Sequence, residues 1–337
     1  NSEPADFICY TLCPFDIDVR DDDFSAPGRK SPGAGGTYAG CAAGNDTNSV
    51  IQFHKLRLFT LSWHTGYSEF FRFAKRKQMT YDNILLEYRD RVAVLTLNAP
   101  EVLNALSNDM VSELHHAIVR VIKSDARCLL MTGEGRAFSA GANLQQRGSA
   151  NGPRVPGSAL ETHYHPVMTK LRNMDILMVT AINGPAVGVG MSFAVMSDYA
   201  IAAKSAYFLQ AFANIGLVPD GGATWILPRV VGWRRAVELS MMAERLPAET
   251  ALEWGLINRV VDDEVLMTEA MQVASKLANG PYSLGLIRQA YWESFNNSYA
   301  EQFQLEANLQ DKASSSKDNA EGVKAFLEKR EAKFTGN

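Results

Sequence analysis

The chain is poor in cysteine, and none of its apolar runs approaches the roughly 18 residues that a membrane-spanning helix needs. Four cysteines in 337 residues, Cys9, Cys13, Cys41 and Cys128, make no disulfide framework, so a reducing compartment, the cytoplasm, is expected. Cys9 and Cys13 have no further cysteine or histidine nearby to complete a site, and no metal is expected. Excess positive charge is missing too: 33 Lys and Arg stand against 37 Asp and Glu, for a net charge of −4. That balance gives no electrostatic case for nucleic acid or for a membrane surface. What the chain does have is a hydrophobic content of 46 %, enough for a large core.

Residues 1–78 read differently from the rest. Glu3, Asp6, Asp16, Asp18 and Asp21–Asp23 are followed by a Gly/Pro/Ser-rich stretch, and neither helical nor strand periodicity is sustained. The acids argue against a transit peptide, despite the basic aromatic run at 70–77, and no long apolar segment marks a signal peptide. An unstructured leader is expected, with Met79 as the natural first residue of the periodic part.

From Ile84 the pattern is regular. Residues 84–88 and 91–98, separated by Arg89-Asp90, read as a β-hairpin. Ser107 is placed to cap a helix whose apolar residues Met110, Leu114, Ile118 and Val121 recur every three or four positions. Cys128–Thr132 and Met178–Ile182 are short apolar runs bounded by turns, as in buried strands. Residues 145–158 are polar and Gly/Pro-rich, the expected mobile loop, and a helix follows from Leu160 to Asn173. After Thr224 the reading is mostly helical, over roughly 221–231, 233–243, 247–254, 263–279, 282–295, 299–313 and 319–330. Mixed α/β therefore gives way to an all-helical tail.

Two stretches carry the chemistry. Asn183-Gly184-Pro185 breaks a strand, Ala186 to Gly190 are all small, and an apolar helix follows. Such a loop leaves backbone N–H groups at a helix start, a place to stabilise negative charge. Farther on, Asp220 lies in Val218-Pro219-Asp220-Gly221-Gly222. It is a candidate acid or base if Phe212, Leu217 and Trp225 surround it with apolar groups. It is equally a candidate helix N-cap.

Ala137-Phe138-Ser139-Ala140-Gly141-Ala142, Asn183 through Gly190, Ser197-Asp198 and Ile215 through Gly222 occur in an order and spacing that resemble the crotonase, or enoyl-CoA hydratase/isomerase, superfamily. Pro219 through Trp225, Glu253 through Ile257 and Phe326 through Arg330 look most like its isomerase branch of phenylacetate degradation. The resemblance implies a ββα spiral core over 79–265 and a C-terminal helical segment over 266–337 that assembles homotrimers or homohexamers. It implies an acyl-CoA thioester substrate and no separate cofactor. The thioester oxygen would be held by the backbone N–H groups of Ala140 and Val189, and Asp220 would be catalytic. Asn104, Ala105, Leu106, Ala142, Phe212, Lys329 and Phe334 would meet the substrate or its CoA moiety.

One departure bears on the reaction. Hydratases of the superfamily carry two glutamates, and the matching positions here are Ser192 and Phe212. Neither titrates near neutrality, which disfavours adding water. One carboxylate suffices to shift a double bond from position 3 to 2 through a dienolate, and opening of a ring epoxide of phenylacetyl-CoA to an oxepin is a related expectation. A hydrolytic aryl-CoA dehalogenase also places an Asp at position 220, but Ser139 to Gln146 lacks the histidine that chemistry uses. A non-catalytic acyl-CoA-binding relative is the remaining alternative. Asp198, His163 and His165 read as structural.

Overall fold

The computed structural model describes residues 80–144 and 160–337. The leader, the Cys9/Cys13 pair, the basic run at 70–77 and the polar loop from 145 to 158 lie outside the described residues, which all fall in one compact unit, Arg72–Asn337.

The expected hairpin is present as β1 (Ile84–Arg89) and β2 (Val92–Leu97), turned at Asp90 with φ 52°. Helix α1 (Asn108–Ile122) starts where Ser107 Oγ accepts the Met110 amide at 3.0 Å, and buries Met110, Leu114, Ile118 and Val121. The capping bond satisfies one of the amides that a helix start leaves open, and the spacing puts those four side chains on one stripe. Strands β3 (Cys128–Gly133) and β4 (Leu177–Ile182) are buried along their whole length, as continuous apolar runs in a parallel sheet should be. Between them, a π-helical turn over Leu160–Tyr164 leads into α2 (His165–Asn173).

The chain then alternates long and short strands. β5 (Ala186–Val187) precedes α3 (Val189–Val195), β6 (Tyr199–Ala203) precedes β7 (Tyr207–Leu209), and helices α4 (Ala223–Val230) and α5 (Trp233–Met242) follow. Between the helices expected after Thr224 lie two short strands. β8 (Leu246–Pro247) pairs antiparallel with β7, and β9 (Arg259–Val261), after α6 (Ala248–Glu253), pairs parallel with β6. Strands of two and three residues carry no periodicity of their own and exist only through their partners.

Six strands form the main sheet in the order β1-β2-β3-β4-β6-β9, parallel except for the β1–β2 hairpin, and β5-β7-β8 form a smaller second sheet. After β3 a parallel bridge from Ser139 to Ala186 continues the second sheet. Each main-sheet strand from β3 to β6 is thus followed by a second-layer pairing and then a helix, the expected ββα repeat. Helix α7 (Leu266–Ala278) presents Leu266, Ala270, Ala274 and Ala278 to the core and packs on β3 and β4. The alanines permit close approach of helix to sheet. Helices α8 (Ser283–Ser294), α9 (Tyr299–Ser314) and α10 (Lys317–Glu328) complete the chain.

Candidate active site

The loops that leave β3 and β4 at their C-terminal ends are stitched together by side-chain amides. Asn183 accepts the Gly133 amide and donates to the carbonyls of Gly135 and Ala137. Asn104, fully buried, accepts the Ala99 amide at 2.9 Å and donates to the carbonyls of Glu134 and Ala137 at 2.9 and 2.8 Å. It holds two successive left-handed residues, Leu103 at φ 56° and Asn104 at φ 54°, in a conformation that side chains resist. The Asn104 amide is consumed inside the scaffold and the Leu106 side chain is buried in the core, so neither side chain is offered to the CoA moiety expected along this stretch. Ala105 is half-buried between them.

Across this scaffold the Ser139 loop meets the glycine loop. Ser139 donates its amide to Pro185 O at 3.0 Å and accepts from Val187 N at 2.9 Å. Gly188, at φ 52° and ψ −127°, donates to Leu209 O at 2.8 Å. A Cβ on Gly141 would stand 2.7 Å from Val187 O, so only glycine lets the two loops touch there.

Hydrogen-bond accounting then separates the amides. Ala140 N donates to Leu103 O at 2.8 Å, so the expected donor at Ala140 is corrected: that N–H is spent inside the protein. In the bridge between Leu106 and Ala142, Leu106 bonds the flanking residues Gly141 and Asn143, which turns the Ala142 amide to the opposite edge. Ala142 is half-buried, and its N–H donates no hydrogen bond among the described residues. Val189 N, at the first position of α3, likewise has no intrahelical acceptor and donates none. Two amides from two loops in contact are left for a ligand oxygen.

Phe212 is 6 % exposed, and its ring edge lies 3.8 Å from where a Cβ on Gly188 would stand, so it covers the glycine loop beside Val189. Asp220 sits in the following turn. Its Oδ1 is buried, and its main chain is seated on α3: Ser192 Oγ donates to Asp220 O at 3.0 Å. The reading of Asp220 as the cap of the next helix is corrected, since the N-cap of α4 is Gly222. Of the apolar residues expected around Asp220, Phe212 is buried, Leu217 is 42 % exposed, and the Trp225 ring stacks on Trp292 at 5.9 Å with Arg229 over it at 4.3 Å. Fully buried Gln210, between Leu209 and Phe212, was missed by sequence reasoning. Its amide meets no partner among the described residues, and glutamine at a strand end carries no signal of its own.

Phe334 is not brought to this site within one chain. Lys329 ends α10 in the left-handed region, and Phe334 lines a groove of about 970 Å³ between α8, α9 and α10. The tail that follows is bound by Asp318, which accepts the Thr335 and Gly336 amides at 2.7 and 2.8 Å, and by Arg91, which donates to Thr335 O. Gly336 also lies against Arg127, which precedes β3, whereas the Ser139 loop follows β3. The tail and the two free amides are thus at opposite ends of the same strand. Asp198 accepts the Met178 amide and pairs with buried Arg288 at 2.8 Å, a structural tie. His163 is half-buried in the π turn and His165 is exposed. Among the described residues no cluster of His, Cys, Asp and Glu could hold a metal, and no helix is long and apolar enough to cross a membrane.

Over most of its length the chain is similar to known proteins. A family model described as enoyl-CoA hydratase/isomerase matches residues 87–337. A 1,2-epoxyphenylacetyl-CoA isomerase of Escherichia coli K12 is 43 % identical over 75 % of this chain and 98 % of its own length. A probable enoyl-CoA hydratase of Rhodobacter capsulatus is 40 % identical over 77 % of this chain and 100 % of its own. The crystal structure of an enoyl-CoA hydratase from Bacillus anthracis superposes with a TM-score of 0.72 at 29 % identity, covering 76 % of this chain and 100 % of that one.

Proposed function

Because the chain belongs to the enoyl-CoA hydratase/isomerase family, we propose that it is an acyl-CoA isomerase that moves a carbon–carbon double bond, 3-enoyl to 2-enoyl, with Asp220 as the single base and acid. The observation that carries this reading is the composition of the site. One carboxylate, Asp220, is seated on the helix that starts with the Val189 amide, and the positions of a second and third acid hold Ser192 and Phe212.

The chemistry follows from that inventory. The thioester oxygen takes hydrogen bonds from Ala142 N and Val189 N, which strengthen as negative charge develops on it. A fixed donor of this kind is worth about 10²–10³ in rate. Asp220 removes a proton from C2, the electron pair delocalises into the dienolate, and the same carboxyl returns the proton at C4. No electrons are gained or lost, so the substrate's CoA is the only non-protein group required. Valine in place of glycine at 189 changes no donor, because the N–H is main chain. Phe212 over Gly188 closes the side from which water would be delivered.

The identity with an epoxyphenylacetyl-CoA isomerase extends the reading to a cyclic or aromatic acyl group, with an epoxide opening to an oxepin as the second transformation. Assembly into a homotrimer or homohexamer belongs to the same reading. It would allow Lys329 and Phe334 of a neighbouring copy to reach the CoA moiety. The test is incubation with a 3-enoyl-CoA, following the conjugated 2-enoyl-CoA by absorbance, in parallel with crotonyl-CoA in water. Double-bond migration without hydration supports the proposal. Hydration at a comparable rate replaces it with the hydratase reading.

A further inference from the structure

Ser192 has no exposed surface and occupies the second turn of α3. Its hydroxyl donates to the main-chain carbonyl of Asp220 at 3.0 Å, and the same carbonyl accepts Ala223 N at 3.1 Å, so both of its lone pairs are engaged. The next residue, Gly221, at φ 62°, is pressed onto the same helix: a Cβ there would stand 2.9 Å from Ser192 Cβ and 3.0 Å from Val189 Cγ2. The Asp220 turn therefore rests on the first turns of the helix whose N-terminal amide is Val189. Removing the hydroxyl would leave Ala223 N as the remaining donor to that carbonyl.

We propose that Ser192 is a positioning residue for the isomerisation, its hydroxyl holding the Asp220 main chain at a set distance from the Val189 amide. The inference rests on the reading of Asp220 as the base. In it, a position that bears a carboxylate in hydratases serves here as a clamp on a carboxylate carried elsewhere. The energetic reason is geometric. A proton must be taken at one carbon and delivered two carbons away while the thioester oxygen stays on its donors. A displacement of the base of about 1 Å costs on the order of 10²-fold in rate.

The experiment is a double-mutant cycle on the full chain, Ser192→Ala and Asp220→Asn singly and together, read by 3-enoyl-CoA turnover and by affinity for a non-reactive CoA thioether. Ser192→Ala is expected to lower kcat about 10–10²-fold with KM and thioether affinity within about twofold. Its effect should vanish in the Asp220→Asn background, where only residual activity is left to measure at high enzyme concentration. Ser192→Cys, which keeps the volume and a weak donor, should fall between wild type and Ser192→Ala, and it serves in place of the alanine variant if that fails to fold. Unchanged kcat in both Ser192 variants overturns the inference, as does an equal loss from Ser192→Ala with and without the Asp220 carboxylate. A fully active Asp220→Asn protein instead removes the base assignment, a result distinct from either.

Discussion

Gly190 and Ser139 lie closer than any side chain at position 190 would permit: a Cβ there would stand 2.7 Å from both Cβ and Oγ of Ser139 and 2.8 Å from its carbonyl oxygen. One residue belongs to the loop after β3 and the other to the first turn of α3, so this contact sets the separation of the Ala142 and Val189 amides. Gly190→Ala is expected to cost about 1–3 kcal/mol, the range for forced overpacking. It should also lower turnover at temperatures where the variant is still folded. A thermal melt beside the isomerase assay checks both. Wild-type activity in a stably folded variant would show that the amide spacing is not critical.

Asp220→Asn keeps the shape of the side chain and removes its ability to take a proton. Isomerisation is expected to fall by about 10²–10⁴-fold, the usual worth of a general base. Binding of a CoA thioether, measured by calorimetry, should be retained, because the oxyanion donors are main-chain groups.

Asn104→Ala separates scaffold from ligand contact. Three partners, Ala99 N and Ala137 O in buried bonds and Glu134 O in a part-buried one, would lose their bonds to Asn104. A loss of about 2–4 kcal/mol in unfolding free energy is expected from such unmade bonds. The KM of the folded fraction should be unchanged. A raised KM without loss of stability would return Asn104 to the CoA site.

Acid should release the C-terminal tail before the core. Burial opposes ionisation of Asp318, yet the Thr335, Tyr282 and Gly336 amides outweigh it and hold the carboxyl below its ordinary 3.8. Arg330 and then the Lys333 amide lower Glu321 from 4.5 to about 2. Both folded-state values lie below the unfolded ones. Their contribution is therefore complete above the ordinary carboxylate range and is lost as pH falls through the folded values. The protection factors of residues 329–337 against hydrogen exchange, taken relative to the intrinsic rate at each pH, are expected to fall between about pH 4.5 and pH 2 while β3 and β4 stay protected. Asp318→Asn should bring that exchange forward at neutral pH.

Much of the architecture could be read from residue order. The β1–β2 hairpin, α1 with its Ser107 cap, and the buried strands β3 and β4 all carry local signals that the structure preserves. The helices after Thr224 were legible for the same reason, apart from shifts of one to a few residues at their ends. β5, β7, β8 and β9 were not legible as strands, because two or three residues gain strand geometry only from partners distant in sequence. Asp198 declared itself at a turn, but its buried partner Arg288 lies in a helix 90 residues away and left no trace in the local pattern.

The amino-acid sequence alone determined the ordered glycine motifs, the Asp220 turn and the replacement of two carboxylates by Ser192 and Phe212, because each is a matter of which residue stands where. The tertiary structure alone decided that Ala140 is spent on Leu103 while the Ala142 and Val189 amides meet no acceptor among the described residues. It also decided that the tail after Phe334 is tied to Arg91 and Arg127, at the end of β3 away from those amides. Every residue other than proline carries the same main-chain N–H, so its identity cannot say whether that group is already bonded; only the fold, by bringing an acceptor to one amide and none to the next, makes the distinction.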